Sequence, residues 1–343
     1  MTRNNGSKPI DIRHRTLADL LRTVKETGYG FTTITPFSHA IVNARPGNQW
    51  AKMPEAAASQ HSILQDIFGW SRAFHQSQLG PEIFDLMEKA NVLEKFEDGW
   101  RSKVRISTMR HAKFGCHCFL HSAYPSSQEN AVFFGPDTYR YLHEIDREVN
   151  VRTLHGHDIE RAVDIGAGAG PGAILLALYY PQADVYAADI NPDALELTAV
   201  NAEVAGVGNV IPLYSNLLAD IAGQFDLITA NPPYLIDDDK RTYRHGGDDD
   251  GADLSYAIVE ASMPRLNQAG ALLLYTGVAI KDGQDTFQKR VEQYLGALQK
   301  DIAWTYHEID PDIFGEELLK PSYRATDRIA AVLLRLHRGM TIY

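Results

Sequence analysis

From about residue 160 onward, short apolar runs alternate with stretches of helical spacing. The runs fall at about 161–166, 184–189, 209–213, 225–230, 270–276, 302–309 and 327–336, and the helical stretches near 173–180, 192–205, 252–267 and 283–299. Strands and helices in alternation predict an α/β fold whose parallel strands are joined by right-handed crossovers. Between the last two strands the chain runs from Pro311 to Ala325 through Phe314-Gly315-Glu316-Glu317. That connection is long for a hairpin, and it reads either as part of a substrate pocket or as a packed surface excursion. No internal repeat or low-complexity tract is visible.

The pattern before residue 130 is different. Leu17, Leu20, Leu21 and Val24 give Thr16–Glu26 a helical apolar face, and Gly28 to Pro54 is rich in loop residues. Helical spacing returns at about 58–70 and 81–93. An Asp98-Gly99 turn then leads into two strands, Val104–Met109 and Phe114–His121. Helices followed by a hairpin predict a smaller, mostly helical, winged-helix-like domain over 1–130, ahead of a larger domain over 131–343. A recognition helix spanning Gly80 to Leu93 would carry Glu82, Asp85 and Glu88 against Lys89, a poor match to a nucleic-acid groove. Trp50, Trp70 and Trp100 read as core or inter-domain packing.

Chemistry concentrates at Asn231-Pro232-Pro233-Tyr234, which follows the apolar run Phe225 to Ala230. Two prolines cannot continue a strand, so the chain turns at its carboxyl end, where open α/β sheets bind ligands. The Asn231 side-chain oxygen and the Pro232 carbonyl can each accept one N–H of a planar amino group, and Tyr234 can stack on its plane. A proline turn that merely caps a strand is the plain alternative. A second motif weighs against it: Asp164-Ile165-Gly166-Ala167-Gly168-Ala169-Gly170 links a strand to a helix start. Glycines there let the backbone approach a ligand, and a helix N-terminus offers free N–H groups. The next strand ends at Asp189, 25 positions after Asp164. A carboxylate at that place can bind both hydroxyls of a ribose, or it can cap the helix after Pro192.

Asp164-x-Gly166-x-Gly168-x-Gly170, then Asp189, then Asn231-Pro232-Pro233-Tyr234 resembles a class I S-adenosylmethionine-dependent methyltransferase. Within that class it is similar to the amino-group methylators: HemK-type glutamine, adenine-N6 and guanine-N2 enzymes. Gly246-Gly247-Asp248-Asp249-Asp250-Gly251-Ala252-Asp253-Leu254 resembles the glycine-rich segment after the same motif in HemK-type enzymes. Phe134-Gly135-Pro136-Asp137-Thr138 resembles their Arg-Pro-(Asp/Glu)-Thr segment, which lies beside cofactor and substrate. The resemblance covers about residues 130–338. It implies a Rossmann-like class I sheet, S-adenosylmethionine as cofactor and S-adenosylhomocysteine as product. It implies cofactor contacts from Asp164, Gly166, Gly168, Gly170, Asp189, Ile190, Asn216, Leu217 and Asn231. Asn231, Pro232 and Tyr234 become the catalytic set, and Pro233, Phe134, Thr138, Asp237 and His245 the acceptor side. Two positions depart from the pattern: Gly135 replaces the segment's arginine, and Asn216 stands where an acid usually takes the adenine amino group.

Charge narrows the acceptor. The chain has a formal net charge of −11. Asp237, Asp238, Asp239, Asp248, Asp249, Asp250 and Asp253 face only Lys240, Arg241 and Arg244 between residues 237 and 253, a local balance of −4. Acids beside an entrance repel a polyanion. A protein side chain or a small neutral or cationic molecule is therefore expected ahead of nucleic acid, although a solvated loop without a substrate role would look the same. In direct transfer no dedicated strong base is required, and Asp237 or His245 could take the proton. A nucleic-acid methyltransferase would need a basic face, and a non-catalytic binding or dimerisation module would have no reason to keep Asn231 to Tyr234. In many small-molecule methyltransferases such N-terminal domains cover the substrate or form a homodimer.

The remaining features exclude more than they assign. The polar start, Met1 to Pro9, has no apolar signal core, and no apolar stretch approaches the roughly 20 residues of a membrane span, so a cytoplasmic enzyme is expected. Cys116 and Cys118 are the only cysteines. With His111 and His121 they suggest zinc, but the Cys-x-Cys spacing fits a metal site poorly and residues 114–121 read better as a strand, so no metal is expected.

Overall fold

The computed structural model describes residues 12–52, 60–124, 130–237, 244–247, 250–298 and 302–339. The chain divides into two compact units, Met1–Ser126 with Val200–Gly206, and Ser127–Ala199 with Val207–Tyr343.

In the first unit, α1 (Ile12–Glu26) buries Leu17, Leu20, Leu21 and Val24, the face its spacing predicts. α2 (Pro36–Asn43) starts on proline and is capped by Thr35, whose hydroxyl accepts the Ser38 N–H at 3.2 Å. α3 (Gln60–Leu64) runs into a wider π turn over Gln65–Gly69. The helical spacing at 58–70 thus yields a helix with an expanded end, and residues 58 and 59 lie outside the described residues. α4 (Pro81–Lys89) stops short of Leu93 because Asn91 takes a left-handed φ of 56°. The chain then enters β1 (Leu93–Phe96), which pairs with β2 (Gly99–Ser102) around the Asp98-Gly99 turn. β3 (Val104–His111) and β4 (Gly115–Ser122) form the second antiparallel hairpin. All three tryptophans are packed within the unit: Trp70 edge-on to Phe31 at 5.3 Å, Trp100 edge-on to Phe84 at 5.7 Å, and Trp50 stacked on His75 at 4.7 Å.

The β3–β4 register decides how the zinc-like residues are placed. Cys116 pairs with Arg110 and Cys118 with Thr108, while His111 pairs with Gly115 and His121 with Arg105. Side chains alternate along a strand and paired residues share a face. Both cysteines therefore occupy one face and both histidines the other, and four ligands so divided cannot close around one ion. His121 instead bonds Ser107 through Nε2 at 2.7 Å.

The second unit opens with α5 (Pro136–Leu154), followed by β5 (Arg161–Ile165), α6 (Pro171–Tyr179), β6 (Asp184–Asp189), α7 (Pro192–Ala205), β7 (Val210–Tyr214) and β8 (Phe225–Ala230). Then come α8 (Asp253–Ser262), β9 (Leu266–Lys281), the two-residue β10 (Gln284–Asp285), α9 (Thr286–Ala297), β11 (Ile302–Asp310) and β12 (Arg328–Arg338). Their sheet has the order β11-β12-β9-β8-β5-β6-β7, with β10 paired to β9. β5 to β9 are mutually parallel, as expected. β12 runs antiparallel to both β9 and β11, so the sheet is mixed rather than parallel throughout. No crossover helix separates β11 from β12, and a chain that returns without one comes back antiparallel. Ile228, Leu272, Leu274, Val332 and Leu334 lie in the buried cluster shared by the central strands.

α5 is absent from the apolar pattern, for a physical reason. Besides Tyr141, Leu142, Ile145 and Val149 it buries Glu144, Glu148 and Arg152. Glu148 accepts from Arg152 at 3.0 Å and Glu144 from Arg335 at 2.9 Å. Paired charges take places where the helical period asks for apolar ones. No helix among the described residues is long and apolar enough to cross a membrane.

Candidate active site

Four strand ends line up on one edge of the sheet. Ile165 of β5 is in register with Ala230 of β8 and with Ala188 of β6, and Asp189 of β6 is in register with Tyr214 of β7. Gly166 and Asn231 come just past those ends, Asp189 closes β6, and Asn216 lies two residues beyond β7. The sequence motifs therefore meet, in the order β8-β5-β6-β7, along the carboxyl edge where such sheets bind ligands.

Gly166, Gly168 and Gly170 have φ of 69°, 56° and 81°, a region that side chains with a Cβ rarely adopt. A methyl on Gly170 would also stand 2.8 Å from Thr198 Cγ2. Thr198 fixes the turn from outside by donating its hydroxyl to the Gly168 carbonyl at 2.9 Å. From β6, Asp189 accepts the Gly168 N–H at 2.9 Å and the Asn191 N–H at 2.8 Å. Burial raises its pKa, and those N–H donors draw it back. The helix after Pro192 is capped by Asn191, whose side-chain oxygen accepts from the Asp193 N–H at 3.0 Å. Asp189 is thus left to shape the glycine turn, and a carboxylate with about four acceptor sites retains capacity for a ligand hydroxyl. Beside it Ile190 is 44 % exposed, an unusual state for an isoleucine at a strand end. Asn216 is exposed, and Leu217 follows in the left-handed region at φ 53°.

Asp164 is placed differently. It is 2 % exposed. Its carboxylate accepts from the Tyr141 hydroxyl, from Thr229 Oγ1 at 3.2 Å and from the Ala173 N–H at 3.1 Å. A ligand cannot reach it in this state, so Asp164 supports the turn from behind instead of touching what the turn holds. Gly172 allows this, since a methyl there would meet Asp164 Oδ2 at 2.5 Å. Burial pushes the Asp164 pKa up to about 6, against the pull of its three donors. A carboxyl whose pKa rises on folding stabilises the fold fully below its unfolded value near 4, and loses that contribution as pH climbs through about 6. We expect melting temperatures of wild type and Asp164→Asn, measured between pH 4.5 and 7, to converge as the pH rises. A constant difference would mean that Asp164 does not titrate in that window.

Past β8 the motif is locked by glycines. Asn231 and Pro233 are half-buried, whereas Pro232 and Tyr234 are buried. Leu235 pairs with the segment at Arg244 to Gly246, its N–H donating to the Arg244 carbonyl at 3.1 Å. A methyl on Gly246 would stand 2.6 Å from Tyr234 Cα, and one on Gly251 2.8 Å from the Tyr234 carbonyl carbon. The glycine-rich segment is therefore built to lie against the backbone of Tyr234. The Tyr234 ring is 7 % exposed and meets Phe314 edge-on at 6.2 Å. Its hydroxyl is turned to the Asp137 carboxyl in a hydrogen-bonding interaction.

Several acceptor-side expectations change. Phe134 is 1 % exposed and packs edge-on to Tyr139 at 5.4 Å, so it is a core anchor and not a contact surface. Thr138 is buried, and its hydroxyl accepts the Gly135 N–H at 3.3 Å, capping α5. Gly135 itself is explained by Phe133, whose ring atom Cε1 would lie 2.7 Å from any Cβ there. Asp237 is 1 % exposed rather than solvated, and stands 3.5 Å from Arg244 Nε. Arg244 in turn pairs with Glu317, and Glu317 with Lys320 at 2.6 Å. His245 accepts the Asp237 N–H through Nδ1 at 3.4 Å. Asp250 is paired with Lys281 and Asp253 with Arg290 at 3.3 Å. The described acids of this loop are thus neutralised by partners. Asp238, Asp239, Lys240, Arg241, Asp248 and Asp249 lie outside the described residues.

Sequence reasoning left one contributor undecided and missed another. The Pro311–Ala325 connection, read as either part of a pocket or a surface excursion, folds onto the loop after the motif: besides Phe314 and Glu317, it brings Tyr323, whose hydroxyl accepts the Ile236 N–H at 2.8 Å. Tyr275 of β9 donates its hydroxyl to Asp137 at 2.8 Å. Tyr275 sits within an apolar strand and carried no local signal. Asp137 lies in the 134–138 segment singled out at the start of α5, and that resemblance was the one available pointer.

The methyltransferase small domain model matches residues 145–295. A release factor glutamine methyltransferase of Deinococcus radiodurans is 31% identical over 210 residues, 58% of this chain and 69% of that protein. A ribosomal protein uL3 glutamine methyltransferase of Xanthomonas campestris pv. campestris is 32% identical over 195 residues, 52% of this chain and 59% of that protein. The uL3 enzyme of Bordetella pertussis is 36% identical over 131 residues, covering 35% of this chain and 44% of that protein. The left-handed glycine turn and Asp189 beside it fit the cofactor that such enzymes use. The chain belongs to the class I S-adenosylmethionine-dependent methyltransferases, in their HemK-like branch.

Proposed function

We propose that this enzyme methylates the side-chain amide nitrogen of a glutamine in a protein. The observation that carries the reading is the register of β5, β6 and β8, which sets Asn231 to Tyr234 directly beside the glycine turn and Asp189. The names of the relatives, all glutamine methyltransferases of a release factor or of uL3, support the amide and the protein acceptor. Among the described residues, the pairing of Asp237 with Arg244, Asp250 with Lys281 and Asp253 with Arg290 weakens the case for a cationic acceptor.

In this reading the Gly166 to Gly170 turn and Asp189 hold the cofactor, with Ile190, Asn216 and Leu217 at its base. When bound, S-adenosylmethionine supplies an electrophilic sulfonium methyl group. The Asn231 side-chain oxygen and the Pro232 carbonyl accept the two N–H bonds of the acceptor amide. An amide nitrogen is a poor nucleophile because its lone pair is delocalised. Two acceptors on its protons draw it toward a tetrahedral geometry and fix its direction, so positioning and preorganised electrostatics contribute most of the rate. Tyr234 forms a wall of the acceptor site. The Asp237 carboxylate is paired with Arg244 and His245 Nδ1 accepts the Asp237 backbone N–H, which leaves solvent to take the amide proton after transfer.

The test is methyl transfer from labelled S-adenosylmethionine to a lysate separated into protein, nucleic-acid and small-molecule fractions, followed by mass spectrometry of the labelled fraction. The expected result is one methyl increment on a glutamine. Label confined to nucleic acid, or to a residue other than glutamine, would overturn the proposal.

A further inference from the structure

Asp137 is the polar centre of a buried group of side chains from three elements, and no catalytic step above uses it. It lies in the first turn of α5, where a helix N-terminus favours negative charge. Tyr275 of β9 donates to its Oδ1 at 2.8 Å, and Arg140 Nη1 donates to the same oxygen at 3.2 Å. The Tyr234 hydroxyl is directed at this carboxyl too. Arg140 continues outward to Asp310 of β11 at 2.7 Å. Asp137, Tyr234 and Tyr275 are all buried, so each donor lost would leave a polar atom with no water to replace it.

β9 contributes twice. Tyr275 and Gly277 are two residues apart and share one face of the strand. Tyr275 anchors the carboxyl, and Gly277 leaves the slot that the Tyr234 ring fills, since a Cβ at 277 would run into that ring. The ring is thus fixed at both ends, by the slot along its flank and by Asp137 at its hydroxyl. Burial, then the neighbouring Asp137 charge, drives the hydroxyl pKa of Tyr234 well above its usual value. The same two causes raise that of Tyr275, so both remain protonated donors.

We propose that Tyr275 and Asp137 are positioning residues that lock the Tyr234 ring as a rigid wall of the acceptor site, with Arg140 and Asp310 tying the lock to β11. The inference rests on the reading of Asn231 to Tyr234 as the acceptor-binding motif. It assigns the Tyr234 hydroxyl to orientation, not to proton transfer. A wall that moves would let the amide nitrogen leave the line of attack, where an error of about 1 Å costs up to roughly 100-fold in rate.

The experiment uses the full chain labelled with 3-fluorotyrosine, the Tyr234 fluorine resonance being assigned by its loss in Tyr234→Phe. In Tyr275→Phe and Asp137→Asn that resonance is expected to shift and broaden. kcat is expected to fall at least about 10-fold, while the Kd for S-adenosylmethionine and the acceptor KM stay within about threefold. Tyr234→Phe combined with Tyr275→Phe should be no slower than Tyr234→Phe alone, because both act through one ring. Should Tyr275→Phe not fold, Arg140→Gln at the half-exposed end of the group carries the same comparison with a smaller loss. An unchanged resonance, or rate losses that multiply in the double variant, would overturn the inference. A released ring in an enzyme whose wild type labels no glutamine would instead sink the proposed acceptor and leave the positioning network standing.

Discussion

Asn231→Ala is expected to lower kcat for methyl transfer by about 10²- to 10³-fold while S-adenosylmethionine still binds within about tenfold of wild type. The asymmetry follows from position. Asn231 is the first residue beyond β8, beside the glycine turn of the neighbouring strand. The turn is held in shape by Asp164, Asp189 and Thr198, none of which depends on the Asn231 side chain. Removing the carboxamide deletes an acceptor for the substrate N–H without disturbing the cradle. Isothermal titration with the cofactor and single-turnover methyl transfer separate the two. Loss of cofactor binding equal to the loss of rate would show that Asn231 serves the cradle and not the acceptor.

Gly251→Ala is expected to be severely damaging for a single added methyl. Gly251 has a φ of 82°, which an alanine adopts only at a cost of about 1 kcal/mol. Its new methyl would also lie 2.8 Å from the Tyr234 carbonyl carbon and 3.1 Å from that of Leu235. Those are backbone atoms and cannot swing aside as a side chain does, so overpacking adds about 1–3 kcal/mol. We expect a fall in melting temperature of roughly 5–15 °C and a loss of rate of at least about 10²-fold, because any relief displaces Tyr234. Gly283→Ala is the control: its φ is 66° with nothing within 4 Å of the added methyl. If both variants lost the same stability, the clash with Tyr234 would play no part and backbone strain alone would explain the effect.

The glycine turn and the placing of Asp189 beside it were legible in the sequence because their requirements are local. Left-handed glycines and an acid at a strand end need only neighbours a few residues away, and strand register does the rest. The acceptor side was not, because its supports come from afar. Asp137 meets a tyrosine 138 positions later, and Tyr275 looks like core because it lies in an apolar run. Asp237 reads as a solvated acid until Arg244 and Glu317 fold over it. Phe134 gives the opposite case: its segment was singled out correctly, but burial makes it an anchor, and Asp137 three residues on faces the motif. α5 escaped notice because four of its buried positions carry charges, among them Asp137 and Glu144, whose partners Tyr275 and Arg335 are visible only in three dimensions.

The place of β12 in the sheet sets an order of events during synthesis. β12 lies between β9 and β11, although it is made after both. β11 therefore has no strand to join until Arg328–Arg338 has left the ribosome. The segment bearing Phe314, Glu317 and Tyr323 is strung between those two strands, so it cannot settle on the loop after Tyr234 any earlier. The strands that frame the cofactor cradle, β5 to β8, are complete about a hundred residues before that point. A growing chain can thus assemble the glycine turn with Asp189, the proposed cofactor cradle, well before the segment that packs on the loop after Tyr234, the proposed acceptor wall, can take its place.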